Sequence, residues 1–314
     1  MNKALGLIFP GQGTQYIGMG KDFADAYPVA ARTFEEADDL LQSRLSNVIF
    51  EGPEEILVRT DHSQLAIYVT GIAIWRTLRH LYPRLRPGAC GGLSLGEYTA
   101  LAAAEKLSFE DGLNLVKYRG SYMSEACDEV KGAMAVIMGL SSEEVEAMVE
   151  DMSLPHDLWA ANFNCPGQVV VSGTEKGVEA AAPEALRRGA KRVVPLQVHG
   201  AFHSGLMKSA KKKLQPRILS VPLQDTEVKI AMNVPGDFVE SNDQMRQNLI
   251  DQVTSPVRWE QEIRAMNHGG VALFVEIGPG ATLAGMNKRI GISGRTISVA
   301  KVEDLRKLEK EAII

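Results

Sequence analysis

Short apolar runs, glycine-rich turns and helical patterns alternate along most of this 314-residue chain. The first such unit has a strand-like run in ALGLIF, a turn in PGQGTQ, and one or more helical patterns over residues 21–45. Strands that alternate with helices form parallel sheets, because each helix carries the chain back to start the next strand in the same direction. The pattern therefore predicts an α/β protein, and it resumes near residue 228.

Residues 130–198 follow a different order. The run GAMAVIMGL predicts a strand, SSEEVEAMVEDM a helix, LWAANFN and GQVVVSG two strands, TEKGVEAAAPEALRRG a helix, and AKRVVPLQV a last strand. The order βαββαβ is that of a ferredoxin-like unit, in which two helices cover one face of an antiparallel sheet. We therefore expect residues 1–129 and 199–314 to form the α/β core, and residues 130–198 to form a smaller subdomain inserted into it.

Composition narrows the class of protein. Hydrophobic residues make up 45% and charged residues 23% of the chain, as is typical of folded globular proteins. The 34 Lys and Arg against 39 Asp and Glu give a charge of -5, which does not attract a nucleic acid backbone. The three cysteines have no C-x-x-C spacing, and the first apolar run is too short for a signal peptide or a membrane span. We expect a cytoplasmic protein whose partners include neither nucleic acid nor membrane.

The sequence Gly92-Leu93-Ser94-Leu95-Gly96 fits the pattern G-x-S-x-G. A short strand pattern precedes it and an Ala- and Leu-rich helical pattern follows, which is the context that a nucleophile elbow requires. The two glycines permit a turn tight enough to expose Ser94, while the following amide and the helix N-terminus point at the same space. An ordinary turn is the alternative, since Gly and Ser are common in turns.

A catalytic serine needs a base, and the chain has six histidines. His199 and His203 have the spacing of half a zinc-binding helix, but Gly200 lies between them and no Glu follows His199. We therefore predict no metal site. A loop that follows a strand suits a catalytic base, which favours His203, although spacing alone does not single it out.

Six segments, taken in order, resemble the malonyl-CoA:acyl carrier protein transacylases of fatty acid synthesis, and also the acyltransferase domains of polyketide synthases. They are FPGQG (residues 9–13), GLSLGEYTAL (92–101), KYRGSYM (117–123), ANFNCPGQVVVSG (161–173), GAFHSGLM (200–207) and EIGPGATLAGM (276–286). The resemblance implies an α/β-hydrolase-like core with a parallel sheet and an inserted ferredoxin-like subdomain, in agreement with the order of elements above.

The resemblance also implies roles in catalysis. Ser94 is at the position of the family's nucleophile, and His203 is at that of its general base. The backbone amides of Gln12 and Leu95 would form the oxyanion hole. The backbone carbonyl of Gln252 would orient the base, so that a Ser-His pair works without a third, acidic residue.

Other positions are implied in substrate binding. Arg119 is at the position of the arginine that pairs with the malonyl carboxylate, and a planar guanidinium holds both oxygens of a carboxylate. A helix is predicted over residues 108–127, because apolar positions recur there at steps of three and four: Phe109, Leu113, Val116, Gly120 and Met123. Arg119 is at the flank of this apolar stripe, where the alternative is an ordinary solvated arginine. Phe202 would exclude an α-methyl branch, or merely pack. Polar positions near the cleft are Gln64, Asn162 and Asn164.

The expected reaction takes malonyl-CoA as substrate, needs no tightly bound cofactor, and delivers the acyl group to an acyl carrier protein. Two basic clusters, RRGAKR at residues 187–192 and KSAKKK at residues 208–213, would suit an acidic carrier or the phosphates of coenzyme A. The alternative for the first cluster is that its cations stabilise the C-terminus of a helix.

The chain departs from the family at three positions. Leu93 replaces a usual His, Leu65 a frequent Pro, and Glu105 a frequent Gly. We expect Leu93 to remove a polar support beneath the elbow. We expect Glu105 to lie inside a helix, where it needs an exposed or paired site.

Two other classes of protein remain open. An esterase or thioesterase would use the same Ser-His pair, with an acidic residue between Ser94 and His203 in the chain as a third member. None of the candidates there follows a predicted strand: Asp111, Asp128, Asp151 and Asp157. The other class is a non-catalytic module that only binds a carrier protein. The presence of both Ser94 and His203 argues against it.

Overall fold

The structure is a computed structural model that describes residues 4–198 and 200–310. In these residues the chain forms ten strands: β1 (Ala4–Phe9), β2 (Ala89–Gly92), β3 (Gly132–Met138), β4 (Leu158–Cys165), β5 (Gln168–Thr174), β6 (Arg192–Pro195), β7 (Lys229–Met232), β8 (Asp237–Val239), β9 (Val271–Ile277) and β10 (Arg295–Val299).

The same residues form fourteen α-helices: α1 (Lys21–Ala26), α2 (Pro28–Leu41), α3 (Leu45–Glu51), α4 (Glu54–Leu57), α5 (Thr60–Leu81), α6 (Gly96–Ala103), α7 (Phe109–Glu129), α8 (Ser142–Asp151), α9 (Glu175–Arg187), α10 (Lys208–Ser220), α11 (Asn242–Gln252), α12 (Trp259–His268), α13 (Thr282–Ile290) and α14 (Leu305–Glu309). In the described part of the chain, no helix combines the length and the apolar character that crossing a membrane requires.

The larger sheet has the strand order β10-β9-β1-β2-β7-β8. All neighbouring strands are parallel except β8, which pairs with β7 in the antiparallel sense. Leu7 and Phe9 of the central strand β1 belong to one apolar cluster, whereas Ile8 between them belongs to another. Because successive side chains of a strand point to opposite faces, both faces of this sheet are covered.

The second sheet is antiparallel and has the order β4-β5-β3-β6. Its strands and the helices α8 and α9 follow one another as βαββαβ. They enclose an apolar cluster of their own, centred on Ile137, Phe163 and Val171. The predicted class, a mixed α/β protein with a parallel sheet and a separate antiparallel sheet, is therefore confirmed.

Strand β4 connects the second sheet to the first. The amide of Phe163 donates to the carbonyl of Val257 at 2.8 Å, and the amide of Val257 donates to the carbonyl of Ala161 at 2.9 Å. Val257 lies two residues before the start of α12, which packs against the larger sheet. These bonds fix the polar side chains of β4 beside the C-terminal edge of the parallel strands.

Helix α7 forms as its pattern predicts. Ser108 caps it by accepting a hydrogen bond from the amide of Asp111. The apolar positions of the predicted stripe are all buried: Phe109, Leu113, Val116, Gly120 and Met123. The helix packs most extensively on the long helix α5, which is buried nearly all round, as expected of its almost continuous apolar sequence.

The elements that the sequence patterns do not predict include a lysine-rich helix and a short strand. Helix α10 includes the lysine-rich cluster 208–213, and its buried positions are only Ala210, Leu214 and Ile218, spaced four apart. Strand β8 is three residues long and lies at the sheet edge. Both escape a search for apolar periodicity because each buries too few side chains to set a period.

The expectation that Glu105 lies inside a helix is wrong. Helix α6 ends at Ala103, and Glu105 follows it with a φ of +60° and an exposed side chain that pairs with Arg79. A left-handed residue just after a helix is the usual place for glycine. This explains why a glycine is frequent at this position in the family that the sequence resembles.

Candidate active site

Ser94 lies in a tight turn between β2 and α6, with a φ of +54°. This left-handed conformation is strained for a serine. The chain can turn so tightly because a Cβ at Gly92 would overlap the backbone of Gly96, and a Cβ at Gly96 would overlap the carbonyl oxygen of Phe9. Glycine is therefore required at both ends of the G-x-S-x-G segment, and the turn presents Ser94 at the end of a parallel strand.

The side chains of Ser94 and His203 are in contact. Ser94 Oγ lies 2.8 Å from His203 Nε2, and His203 Nδ1 lies 2.9 Å from the backbone carbonyl oxygen of Gln252. A carbonyl only accepts hydrogen bonds, so Nδ1 carries the proton and Nε2 is left as the acceptor. The imidazole is thus oriented as a base toward Ser94, and its other nitrogen faces a carbonyl where the esterase alternative requires a carboxylate.

The environment keeps His203 uncharged. Its side chain is buried, and burial, followed by the positive charge of Arg119, lowers the pKa of His203 to about 4. Both effects disfavour the imidazolium. The base is therefore unprotonated and available over the whole neutral range.

Arg119 is buried beside Ser94, although the helical pattern puts it at the flank of the apolar stripe. Nη2 donates to Ser94 Oγ and to Gln252 Oε1, both at 2.9 Å, and Nη1 donates to Gln64 Oε1 at 2.6 Å. The guanidinium carbon lies 5.6 Å from the centre of the Tyr98 ring. The alternative of an ordinary solvated arginine is wrong, since only 1% of Arg119 is exposed.

The acceptors around Arg119 are uncharged. Its guanidinium donates to two side-chain amides and one hydroxyl, and Nε has no hydrogen-bond partner among the described residues. Burial lowers the pKa of Arg119, but a guanidinium stays protonated in proteins. The site thus contains a buried cation with donor capacity to spare, directly beside the nucleophile.

A cavity opens over these groups and is called here the Ser94 cavity. Predicted site residues in its wall are Gln12, Ser94, Arg119, Asn162, Asn164, Phe202 and His203. Three further predicted residues are fully buried behind the wall: Gln64, Leu95 and Gln252. All ten predicted residues therefore lie at or directly behind one cavity.

The ten residues come from several separate elements. Asn162 and Asn164 lie on β4 and are buried, which brings the second sheet to the cavity. Gln12 follows β1, and its side chain accepts from Gln64 Nε2 at 3.4 Å and donates to Thr60 Oγ1 at 3.3 Å. The cavity is thus enclosed by the C-terminal ends of the parallel strands on one side and by the antiparallel sheet on the other.

Asn233 supports the elbow and was not recognised in the sequence. Its Oδ1 accepts from the amide of Ser94, and its Nδ2 donates to the carbonyl of Gly92, both at 2.7 Å. A signal was available, because Asn233 is a polar residue that directly follows the apolar strand β7, the neighbour of β2. Leu93, expected to matter beneath the elbow, instead lies in the wall of the Ser94 cavity.

Several side chains of the two basic clusters are engaged in ion pairs. Arg187 and Arg188, at the end of α9, both pair with Glu184, as the helix-terminus alternative expects of cations at that end. Lys211 and Lys213 of α10 pair with carboxylates of neighbouring helices: Glu125, Glu129 and Asp251. These four cations are therefore partly neutralised by the protein itself.

Within residues 4–198 and 200–310, no group of three or more His, Cys, Asp or Glu side chains has the arrangement to hold a metal ion. His199, which has the spacing of half a zinc-binding helix with His203, lies outside the described residues.

Comparison with known proteins gives the family. Residues 7–308 match the family described as the acyl transferase domain. The malonyl CoA-acyl carrier protein transacylase of Bacillus subtilis (strain 168) is 41% identical over 302 residues, which are 96% of this chain and 95% of that protein. The crystal structure of an acyl-carrier-protein S-malonyltransferase from Bartonella henselae has a TM-score of 0.93 at 35% identity, covering 98% of this chain and 99% of that one.

A malonyl-transacylase solved in complex with its type II PKS acyl-carrier protein has a TM-score of 0.94 at 35% identity, covering 98% of this chain and 99% of that one. Family, identity and fold agree over nearly the whole length. The chain belongs to the acyl transferase domain family, among the malonyl CoA-acyl carrier protein transacylases.

Proposed function

We propose that this protein transfers a malonyl group from malonyl-CoA to the phosphopantetheine thiol of an acyl carrier protein, through an ester on Ser94, and so supplies extender units for fatty acid synthesis. The observation that carries the proposal is the buried guanidinium of Arg119, whose Nη2 lies 2.9 Å from Ser94 Oγ. A malonyl thioester differs from an acetyl thioester by one carboxylate. A buried cation beside the nucleophile can bind this carboxylate, and so favours the malonyl donor over the acetyl donor.

In the first half-reaction, His203 Nε2 takes the proton of Ser94 Oγ as the oxygen attacks the thioester carbonyl carbon. The tetrahedral intermediate then collapses, the C–S bond breaks, and the coenzyme A thiol leaves with the proton from His203. The carbonyl of Gln252 stabilises the imidazolium through Nδ1–H, at the observed distance of 2.9 Å. The product is a malonyl ester of Ser94.

The second half-reaction reverses these steps with another thiol. His203 takes the proton of the phosphopantetheine thiol, the sulfur attacks the ester carbonyl, and the C–O bond to Ser94 breaks as the proton returns to Oγ. One thioester is exchanged for another, so the reaction is nearly balanced in free energy. The kinetics are expected to be ping-pong.

The backbone amides of Gln12 and Leu95 are proposed to stabilise the oxyanion. Leu95 directly precedes α6, so its amide lies at the positive end of the helix dipole. Gln12 follows β1 and lies in the wall of the Ser94 cavity. Two amides that converge on one oxygen are the usual means of stabilising such an intermediate.

Substrate selection is proposed to rest on a small set of side chains. Arg119 would bind the malonyl carboxylate, held in place by Gln64. Phe202 is 6% exposed in the wall of the cavity and would leave no room for an α-methyl branch. Asn162 and Asn164 would contact polar atoms of the acyl chain or of phosphopantetheine.

The finer description of the fold is also a proposal. Residues 1–129 and 199–314 would form an α/β-hydrolase-like core, and residues 130–198 a ferredoxin-like subdomain inserted between Ser94 and His203. The separate apolar cluster of the antiparallel sheet supports this division. The cytoplasmic location and the lack of a tightly bound cofactor stay predictions.

Mass spectrometry of the intact protein tests the proposed function. Incubation with malonyl-CoA is expected to add the mass of one malonyl group to the protein. A phosphopantetheinylated carrier protein is then expected to take up this group, so that the added mass moves from the protein to the carrier. Methylmalonyl-CoA and acetyl-CoA are expected to label far more slowly. Loss of the label to water as fast as to the carrier would indicate a thioesterase, and carrier binding without any labelling would indicate a non-catalytic module.

The reactivity of Ser94 is expected to persist at unusually low pH. Because burial and Arg119 lower the pKa of His203 to about 4, the base stays unprotonated as the pH falls through 6.5, the ordinary value for histidine. Phenylmethylsulfonyl fluoride, which has no titratable group, reports this directly. Its rate of reaction with Ser94 should be level from about pH 8 to about pH 5 and fall tenfold per pH unit below about pH 4. Circular dichroism at each pH checks that the protein stays folded, and a decline centred near 6.5 would contradict the prediction.

A further inference from the structure

Beneath the elbow lies a network of buried polar side chains that the proposed reaction does not use. It contains two carboxyl groups, Glu97 on α6 and Glu262 on α12, which are 1% and 0% exposed. Asn233 lies between them. Its backbone amide donates to Glu97 Oε1 at 2.5 Å, and its side-chain Nδ2 donates to Glu262 Oε2 at 2.6 Å. Buried carboxyl groups are costly, so their placement behind a nucleophile needs a reason.

The side chain of Gln252 joins this network to the site. Its Nε2 faces acceptors, namely the Ser94 carbonyl at 2.9 Å and Glu97 Oε2 at 2.5 Å. Its Oε1 faces a donor, Nη2 of Arg119, at 2.9 Å. Only one orientation of the amide satisfies both sides, because Nε2 cannot accept from a guanidinium and Oε1 cannot donate to a carboxylate.

Glu97 and Arg119 are therefore joined through one side-chain amide, that of Gln252. Burial raises the pKa of Glu97 to about 8, although hydrogen bonds and the charge of Arg119 partly oppose this shift. Burial, followed by the like charge of Glu97, raises the pKa of Glu262 well above its ordinary value. Two buried neighbouring carboxyl groups do not both ionise near neutral pH. Hydrogen-bond geometry distinguishes the two: both oxygens of Glu97 accept from N–H groups, one from the backbone amide of Asn233 and the other from Nε2 of Gln252.

We propose that Glu97 is a positioning residue for acyl selection: by fixing the side-chain amide of Gln252, it holds the guanidinium of Arg119 beside Ser94, ready for the carboxylate of the donor. The inference rests on the proposed function. It gives Gln252 two separate tasks, since its backbone carbonyl orients His203 while its side chain orients Arg119.

Replacement of Glu97 by glutamine tests the proposal. A glutamine offers one oxygen where two N–H groups need acceptors, so one of them meets an NH2 group. The amide of Asn233 is fixed by the backbone, but the end of the Gln252 side chain can rotate. Gln252 would then turn its NH2 group toward Arg119 and displace the guanidinium. Selection of malonyl over acetyl donors is lost, while the Ser-His pair stays in place.

The measurement is the ratio of kcat/KM for acylation of Ser94 by malonyl-CoA to that by acetyl-CoA, from quenched samples and intact mass. In Glu97→Gln the ratio is expected to fall on the order of tenfold, as for one lost hydrogen bond to a charged group. Glu262→Gln is the matched control. It changes an equally buried carboxyl group that bonds Asn233 but has no recorded contact with Gln252, and the ratio should stay at the wild-type value.

Gln252→Met provides a second route to the same test. It keeps the backbone carbonyl for His203 but removes the amide, and the ratio should fall as in Glu97→Gln. In the double variant the fall should be no larger than in Gln252→Met alone, because both changes act through one bridge. Gln252→Met alone still tests the positioning role if thermal unfolding shows that Glu97→Gln does not fold.

Each failure has its own signature. An unchanged ratio in Gln252→Met, equal losses for both donors in Glu97→Gln, or independent losses in the double variant would overturn the positioning role. Wild-type protein that malonyl-CoA does not label would overturn the proposed function itself, before any variant is considered.

Discussion

Replacement of Ser94 by alanine is expected to abolish acyl transfer, with a loss of about 10⁴-fold or more, the size seen when a serine nucleophile is removed. The variant keeps the elbow, the base and Arg119 but has no oxygen at which an acyl ester can form. Intact-mass measurement with malonyl-CoA should show no added mass, and a carrier protein should receive no malonyl group above the uncatalysed rate.

Ser121→Ala is a suitable control, because it removes the hydroxyl of a different serine. Ser121 donates a hydrogen bond to Glu125 on the surface of α7 and does not line the Ser94 cavity. It should be labelled as the wild type is. Label that survives in Ser94→Ala would place the ester on another residue and remove the nucleophile assignment. Thermal unfolding should show that both variants fold. At position 94 the left-handed backbone is about as unfavourable for alanine as for serine, so the replacement adds little strain.

Features encoded in short stretches of sequence were predictable. The elbow is one of them, because a strand, two glycines around x-Ser-x, and a helix occur within a few residues and dictate the turn. Helix α7 is another, since Ser108 begins it and the apolar residues follow at steps of three and four. The order of strands and helices over residues 130–198 was predictable for the same reason.

Features that depend on distant contacts were not predictable in this way. Asn233 contacts Ser94 across 139 positions, and Gln252 contacts Glu97 across 155. A periodicity search treats these four residues as unrelated polar positions. The burial of Arg119 is a similar case, because a helical pattern treats arginine as polar. The oxygens of Gln64, Gln252 and Ser94, all from other parts of the chain, make its burial tolerable.

Replacement of Arg119 by alanine is expected to reverse the preference among acyl donors. Loss of a buried partner for a carboxylate costs about 3–5 kcal/mol, which corresponds to a loss of about two to four powers of ten in kcat/KM for malonyl-CoA. Acetyl-CoA has no carboxylate to lose a partner, so its rate should fall by less than about tenfold. Initial rates of Ser94 acylation by the two donors measure the difference.

Two further variants give the comparison its meaning. Lys117→Ala removes an exposed cation two positions away on α7, and the preference should not change, because Lys117 is not in the wall of the Ser94 cavity. Arg119→Lys keeps the charge but loses the planar fork, and an intermediate preference is expected. Equal losses for both donors in Arg119→Ala would mean that the arginine mainly supports Ser94, Gln64 and Gln252. In that event the buried cation would organise the nucleophile, and malonyl selection would have to come from the rest of the cavity wall.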